Sequence, residues 1–203
     1  MSSKSISLHY PFYEKDVRTL SAGDIIDISG LVYTGRDRLH KHLAETGVSP
    51  VDLQNGAVFH CGPVVLRNGD GSWRIVAAGP TTSIREEPYM ASIVETQGVR
   101  IVIGKGGLGK KSLEAFARFG CVYVQAVGGA AAVIANSVKK VENVFFLEEF
   151  GATEAMWVLE VEKLPGIVAM DSHGRSLYNE IAETSKEALA RQGARQAVPV
   201  VSG

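Results

Sequence analysis

Between Gly79 and Gly109 the chain twice passes from a short apolar run into a turn-forming loop and then into helix-compatible sequence. The runs Arg74-Ile75-Val76-Ala77-Ala78 and Val99-Arg100-Ile101-Val102-Ile103 lead into Gly79-Pro80-Thr81-Thr82-Ser83-Ile84-Arg85 and Gly104-Lys105-Gly106-Gly107-Leu108-Gly109-Lys110. Short apolar runs that end in glycine before a helix are buried strands feeding crossovers, and this directs the chain to an α/β fold. Ligands of such sheets bind where strand carboxyl ends open into loops. Hydroxyls, an Arg, a Lys and backbone N–H groups would meet there, in a setting for a small anion.

The sequence on either side of this stretch differs. After it, helix-compatible and apolar segments alternate. Helices are expected over 86–96 and 111–119, the second ended by Gly120, and an Ala-rich one over 130–138. Strands are expected over 121–127, 144–147, 155–161 and 166–170, which predicts parallel strand–helix–strand units. Ser176 is a candidate cap for a last helix over 177–191. Before the central stretch, Ile6 to Tyr10 alternates like an edge strand, and Asp24 to Tyr33 forms a strand with Gly30 as a bulge or close approach. Thr34 is a candidate N-cap for a short helix whose Leu39 and Leu43 share a face. Arg36 stands near that helix start, where the helix dipole favours an acid. Asn68-Gly69-Asp70-Gly71 lies between two apolar runs and marks an antiparallel hairpin. At 203 residues the chain reads as one domain over 1–203, with 193–203 as a tail.

Several function classes are disfavoured. A net charge of −1 gives no general attraction for nucleic acid or an anionic membrane. No apolar run approaches the ~20 residues that span a bilayer, and no secretory h-region follows Met1, so a cytoplasmic protein is expected. Cys61 and Cys121 lack metal-ligand spacing and read as buried small hydrophobes. The five histidines show no metal spacing and read as surface or packed residues. The glycine loop nearly matches a nucleotide-binding P-loop, but Lys111 stands where the magnesium-binding hydroxyl belongs. Its glycines therefore either cradle an anion or only build a tight turn.

Arg36, Arg85 and Lys105 each fall in a loop after a strand or at the helix start beyond it. Three cations in one cleft repel unless an anion joins them, and a dicarboxylate would suit. Thr34-Gly35-Arg36-Asp37-Arg38-Leu39-His40, Phe59-His60-Cys61-Gly62-Pro63, Gly79 to Arg85, Gly104-Lys105-Gly106-Gly107 and Met170-Asp171-Ser172-His173-Gly174 occur in this order. In that order and spacing the chain resembles the β subunit of two-subunit class I fumarate hydratases and L(+)-tartrate dehydratases. The same unit forms the C-terminal domain of single-chain class I fumarases.

The resemblance implies a swivelling β/β/α domain, with a mainly parallel sheet layered against antiparallel strands. It implies an iron-sulfur hydro-lyase that hydrates fumarate reversibly to L-malate, or alternatively dehydrates L-tartrate to oxaloacetate. It further implies a [4Fe-4S] cluster bound by three cysteines of a partner α subunit and not by this chain, with one iron open as a Lewis acid. Arg36 and Arg85 resemble the family's carboxylate-binding arginines and Lys105 its substrate-binding lysine. Thr81 aligns with a threonine assigned to proton transfer. A free threonine hydroxyl is too weak a base at neutral pH, so that role needs a partner group, and orienting the substrate is the alternative. Without its α subunit the chain is expected to be inactive and to self-associate. A stand-alone anion-binding module is the rival from outside enzymology.

Overall fold

A computed structural model describes residues 5–196. Its strands are β1 (Ile6–His9), β2 (Ile25–Gly35), β3 (Ala57–His60), β4 (Val64–Arg67), β5 (Trp73–Ala77), β6 (Ile101–Gly104), β7 (Val122–Gln125), β8 (Val138–Phe145) and β9 (Met156–Met170). Its helices are α1 (Glu14–Val17), α2 (Asp37–Thr46), α3 (Glu87–Gln97), α4 (Lys110–Phe119), α5 (Ala131–Ala135), α6 (Leu147–Phe150) and α7 (Leu177–Gln196), with a 3-10 turn at Ser83–Glu86. The tail expected from Gly193 begins inside α7, and its remainder lies outside the described residues.

The strands β1, β2, β3, β6 and β7 run parallel in that order. β3 and β6 are buried along their whole length, which explains their unbroken apolar sequence. One buried cluster, including Phe59, Ile103, Val124 and Trp157, covers one side of the sheet. A second, including Leu39, Leu43, Met90, Phe116 and Tyr123, packs α2, α3 and α4 against the other. The long strand β9 pairs antiparallel with β7 and also with β2, so β2, β3, β6, β7 and β9 close into a ring.

Sequence patterning misjudges the C-terminal strands. Segments 155–161 and 166–170 are one continuous strand, and the strand expected at 144–147 begins at Val138. β8 and β9 are antiparallel to each other, and both belong to the main sheet. A parallel return needs a crossover of about a dozen residues or more, and α6 offers only a single turn between β8 and β9. The fold is therefore mixed α/β with the antiparallel strands joined edge to edge to the parallel ones. The expected hairpin is β4–β5, which stands apart as a two-stranded sheet.

Two local expectations resolve clearly. The β2 register shifts between Ile28 and Gly30, and Gly30 has φ +103° with its missing Cβ direction only 2.6 Å from the Tyr10 Cβ. Gly30 is thus both a bulge and a close approach. Thr34, in contrast, caps no helix. It is buried in β2, where its Oγ1 donates to the Ala155 carbonyl at 3.2 Å and accepts the Trp157 N–H at 3.0 Å. The N-cap of α2 is Arg36 with extended backbone, and Asp37 supplies the acid that the helix dipole favours.

Register also aligns the exits. Gly35 lies opposite His60, and Phe59 lies opposite Ile103. The chain therefore leaves β2 at Arg36, β3 at Cys61 and β6 at Lys105 along one edge.

Candidate active site

Backbone hydrogen bonds join the β3 and β6 exits through the loop that follows β5. The Thr81 N–H donates to the His60 carbonyl at 2.7 Å, and the Thr81 hydroxyl donates to the same oxygen at 3.1 Å. The Lys105 N–H donates to the Thr81 carbonyl at 3.3 Å, and the Ser83 N–H returns to the Lys105 carbonyl at 3.0 Å. The two loops singled out by sequence thus lie side by side as a short parallel bridge.

The arginines arrive from flanking elements. Arg36 Nε is 3.4 Å from Glu154 Oε1, and Arg85 Nη2 is 3.2 Å from Asp37 Oδ2. Arg85 on the 3-10 turn therefore reaches the residue that follows Arg36. Lys105 is half-buried on the loop bonded to Thr81. Arg36, Thr81, Arg85 and Lys105 so occupy adjoining segments at the carboxyl ends of β2, β3 and β6. A hollow beside them is lined by Ile84, Glu87, Pro88 and Gly109 to Lys111, and none of the four lines it.

The N–H groups of Gly106, Gly107 and Gly109 are spent within the protein. Gly106 N–H donates to Gln125 Oε1 at 3.2 Å, and Gly107 N–H donates to the Tyr123 hydroxyl at 3.3 Å. At the N-terminus of α4, Gly109 N–H donates to Glu87 Oε2 at 2.7 Å, and the Ser112 N–H and hydroxyl donate to the same carboxylate. A side-chain carboxylate from α3 already occupies the place a phosphate takes in a nucleotide-binding loop. Of the two readings of these glycines, the tight turn holds. Gly106 and Gly107 have φ +80° and +78°, and a Cβ at Gly107 would strike the Tyr178 ring.

Beneath the loops lies a polar knot that the sequence does not reveal. The fully buried His60 places Nδ1 2.8 Å from Ser83 Oγ, which is 2.9 Å from the Tyr123 hydroxyl. The Tyr123 oxygen also accepts from Gly107, so the Tyr123, Ser83 and His60 side chains form one continuous hydrogen-bonded chain. His40, also fully buried, meets His60 edge-to-face with ring centroids 4.8 Å apart and donates Nδ1–H to the Arg36 carbonyl at 2.8 Å. Glu86 lies behind them, fully buried, with Oε2 3.7 Å from His40 Nδ1. Burial pushes His40 down to about 4 and moves His60 the same way, so both rings are neutral. Burial, with the negative charge of Asp37, pushes Glu86 up to about 8. His40 and His60 are thus packed residues as expected, but they are packed against the site rather than in the general core.

This chain's residues do not suit an iron-sulfur cluster. Such clusters are held by thiolates, and Cys61 and Cys121 are buried free thiols. Burial pushes Cys61 up to about 12 and raises Cys121 as well. Among the described residues no group of three His, Cys, Asp or Glu side chains could hold a metal ion. Among them, too, no helix is long and apolar enough to cross a membrane.

This is a mixed α/β domain whose loops carrying Arg36, Thr81, Arg85 and Lys105 meet along the carboxyl edge of its parallel strands, the edge at which α/β sheets hold their ligands. The Fumarase C-terminus family model matches residues 1–181, and the chain belongs to that family. It is 48% identical over 186 residues to a protein of Geobacillus stearothermophilus named as a class I fumarate hydratase, covering 92% of this chain and 36% of that protein. It is 43% identical over 181 residues to a Methanocaldococcus jannaschii protein named as L(+)-tartrate dehydratase subunit beta, covering 87% of this chain and 92% of that protein. It is 38% identical over 178 residues to the L(+)-tartrate dehydratase subunit beta of Escherichia coli K12, covering 87% and 86%. The chain thus spans about a third of the length of the first relative and most of the other two.

Proposed function

We propose that this chain is the β subunit of an iron-sulfur-dependent hydro-lyase that interconverts fumarate and L-malate together with an α subunit. The observation that carries the reading is the adjacency of Arg36, Thr81, Arg85 and Lys105 at one strand edge in a member of this family. The residues of this chain do not suit the [4Fe-4S] cluster, so we assign the cluster to the α subunit. A swivelling β/β/α description of the domain is part of the same reading, supported by a closed mixed sheet with helices packed against it.

In this scheme the chain's residues hold a dianion. Arg85 exchanges Asp37 for one substrate carboxylate, and Arg36 exchanges Glu154 for the other. Lys105 adds a point charge. Removing the C3 proton builds charge on the neighbouring carboxylate, and fixed cations stabilise that charge more than the ground state. The Thr81 hydroxyl donates to the His60 carbonyl, which fixes its oxygen in place. No carboxylate or imidazole nitrogen of this chain hydrogen-bonds that oxygen among the described residues, so Thr81 orients substrate unless the α subunit supplies a proton acceptor.

Dehydration of L(+)-tartrate to oxaloacetate is a second reading, favoured by the two relatives that share most of their length with this chain. A stand-alone anion-binding module is weaker, because the N–H groups of Gly106, Gly107 and Gly109 are already bonded internally. The protein would act in the cytoplasm, without nucleic acid or membrane. Anaerobic co-purification with the α subunit, followed by iron analysis and assays with fumarate and L-tartrate, tests the proposal. Turnover of one diacid only by the assembled complex is the expected result. Turnover of neither refutes it. The isolated chain is expected to self-associate, as light scattering would detect.

A further inference from the structure

We propose that Glu86 is a positioning residue of the dicarboxylate site: as a neutral acid it leaves Arg36 and Arg85 their charge for the ligand, and on ionising it closes the site. This rests on the reading that the site binds a dicarboxylate.

The geometry is specific. Glu86 is fully buried, and no protein N–H or O–H donates to either of its carboxyl oxygens; the side chain it meets is the carboxylate of Asp37, which it can hydrogen-bond only by carrying a proton itself. Its nearest donor candidate, His40 Nδ1, already gives its proton to the Arg36 carbonyl. The charged and titratable groups that face it from α2 are Asp37 and His40, with His60 of β3 behind His40, while Arg36 stands one pair further off, against Glu154. Arg85 comes from the 3-10 turn and Glu154 from the segment before β9. Asp37 already matches Arg85, and Glu154 already matches Arg36. A carboxylate at 86 would be a third anion against two cations, buried and unpaired, which is the costly state. A dianion arriving at the arginines adds two more negative charges beside it. Ligand and ionised Glu86 therefore exclude each other, and bound ligand holds the proton on Glu86. Burial and Asp37 move its titration to about 8, within reach of ordinary assay conditions.

The test is infrared spectroscopy on the full chain, alone and assembled with the α subunit, compared with Glu86→Gln. The wild-type chain at neutral pH is expected to carry a protonated-carboxyl band that the variant lacks, and to lose it above about pH 8. Adding fumarate or L-tartrate to the complex should shift that loss to higher pH. The KM of the complex should rise about tenfold per pH unit above the same point, with kcat changing less and Glu86→Gln staying flat. Asp37→Asn should shift the band's loss to lower pH, and this arm reads Glu86 even if Glu86→Gln fails to fold. Absence of the band at neutral pH overturns the role of Glu86 while leaving the dicarboxylate reading intact. A band that neither diacid shifts in the complex, with no turnover of either, overturns the dicarboxylate reading and this inference with it.

Discussion

The guanidinium of Arg85 lies 3.2 Å from the carboxylate of Asp37, so the turn after β5 and the first helical residue after β2 are held together by charge. The two are 48 residues apart in sequence. Only one guanidinium nitrogen approaches Asp37, so under the proposed function Arg85 can trade this single contact for a two-pronged one to a substrate carboxylate.

Truncating Arg85 should therefore harm catalysis far more than folding. Its side chain is 44% exposed and its partner 43%, so the ion pair contributes little to stability. We expect Arg85→Ala to lower kcat/KM of the cluster-loaded complex by about 30-fold to a few thousand-fold, equivalent to ~2–5 kcal/mol of charge-pair binding. The urea midpoint should stay nearly unchanged. Steady-state kinetics with normal turnover would remove Arg85 from the site.

Glu87 makes the opposite prediction. Its carboxylate closes the N-terminus of α4 through Gly109 and Ser112. Glu87→Ala should cost about 1–2 kcal/mol of stability, the scale of a lost helix cap, measured by urea unfolding. Calorimetry should find no ATP binding to the wild-type chain. Measurable ATP affinity would contradict the occupied helix end.

Gly104 must lack a side chain. A Cβ there would lie 2.0 Å from Ser83 Oγ and 2.9 Å from the Tyr123 hydroxyl. Gly104→Ala should destabilise the chain by about 1–3 kcal/mol, as overpacking does, and should displace Lys105, its neighbour in sequence. Equilibrium unfolding reads the first effect. The second appears as a raised KM in the complex.

Stability should peak near neutral pH. His40 drops from 6.5 to about 4 on folding and His60 moves down with it, so the unfolded chain binds more protons and stability is lost as pH falls below 6.5. Glu86 rises from 4.5 to about 8, so its contribution is full at low pH and is lost as pH climbs through 8. Between 4.5 and 6.5 two histidines oppose one acid, and above 6.5 the acid acts alone. Urea midpoints across this range should rise and then fall. Glu86→Gln should flatten the upper limb, and a monotonic wild-type curve would discount the buried acid.

Much of the N-terminal half and the glycine punctuation is legible from local residue order. Gly30 marks its bulge, Asn68 to Gly71 marks the hairpin, and Gly120 ends α4 with φ +70°. These features are local, because backbone freedom and turn chemistry act within a few residues. The same holds for Leu39 and Leu43, whose spacing buries them together. The C-terminal strands are less legible, since period and propensity do not say whether a strand runs parallel or antiparallel to its neighbour.

The sequence by itself determined that apolar strands would end in loops carrying Arg36, Thr81, Arg85 and Lys105, since that depends only on residue order. Only the tertiary structure decided which groups those loops would meet. Glu87 filled the end of α4, Asp37 and Glu154 held the arginines, and His40, His60 and Glu86 gathered beneath them. The physical reason is that each of those contacts joins segments far apart in the chain. Burial and charge act on the neighbours a side chain has in space, and one-dimensional patterning does not contain them.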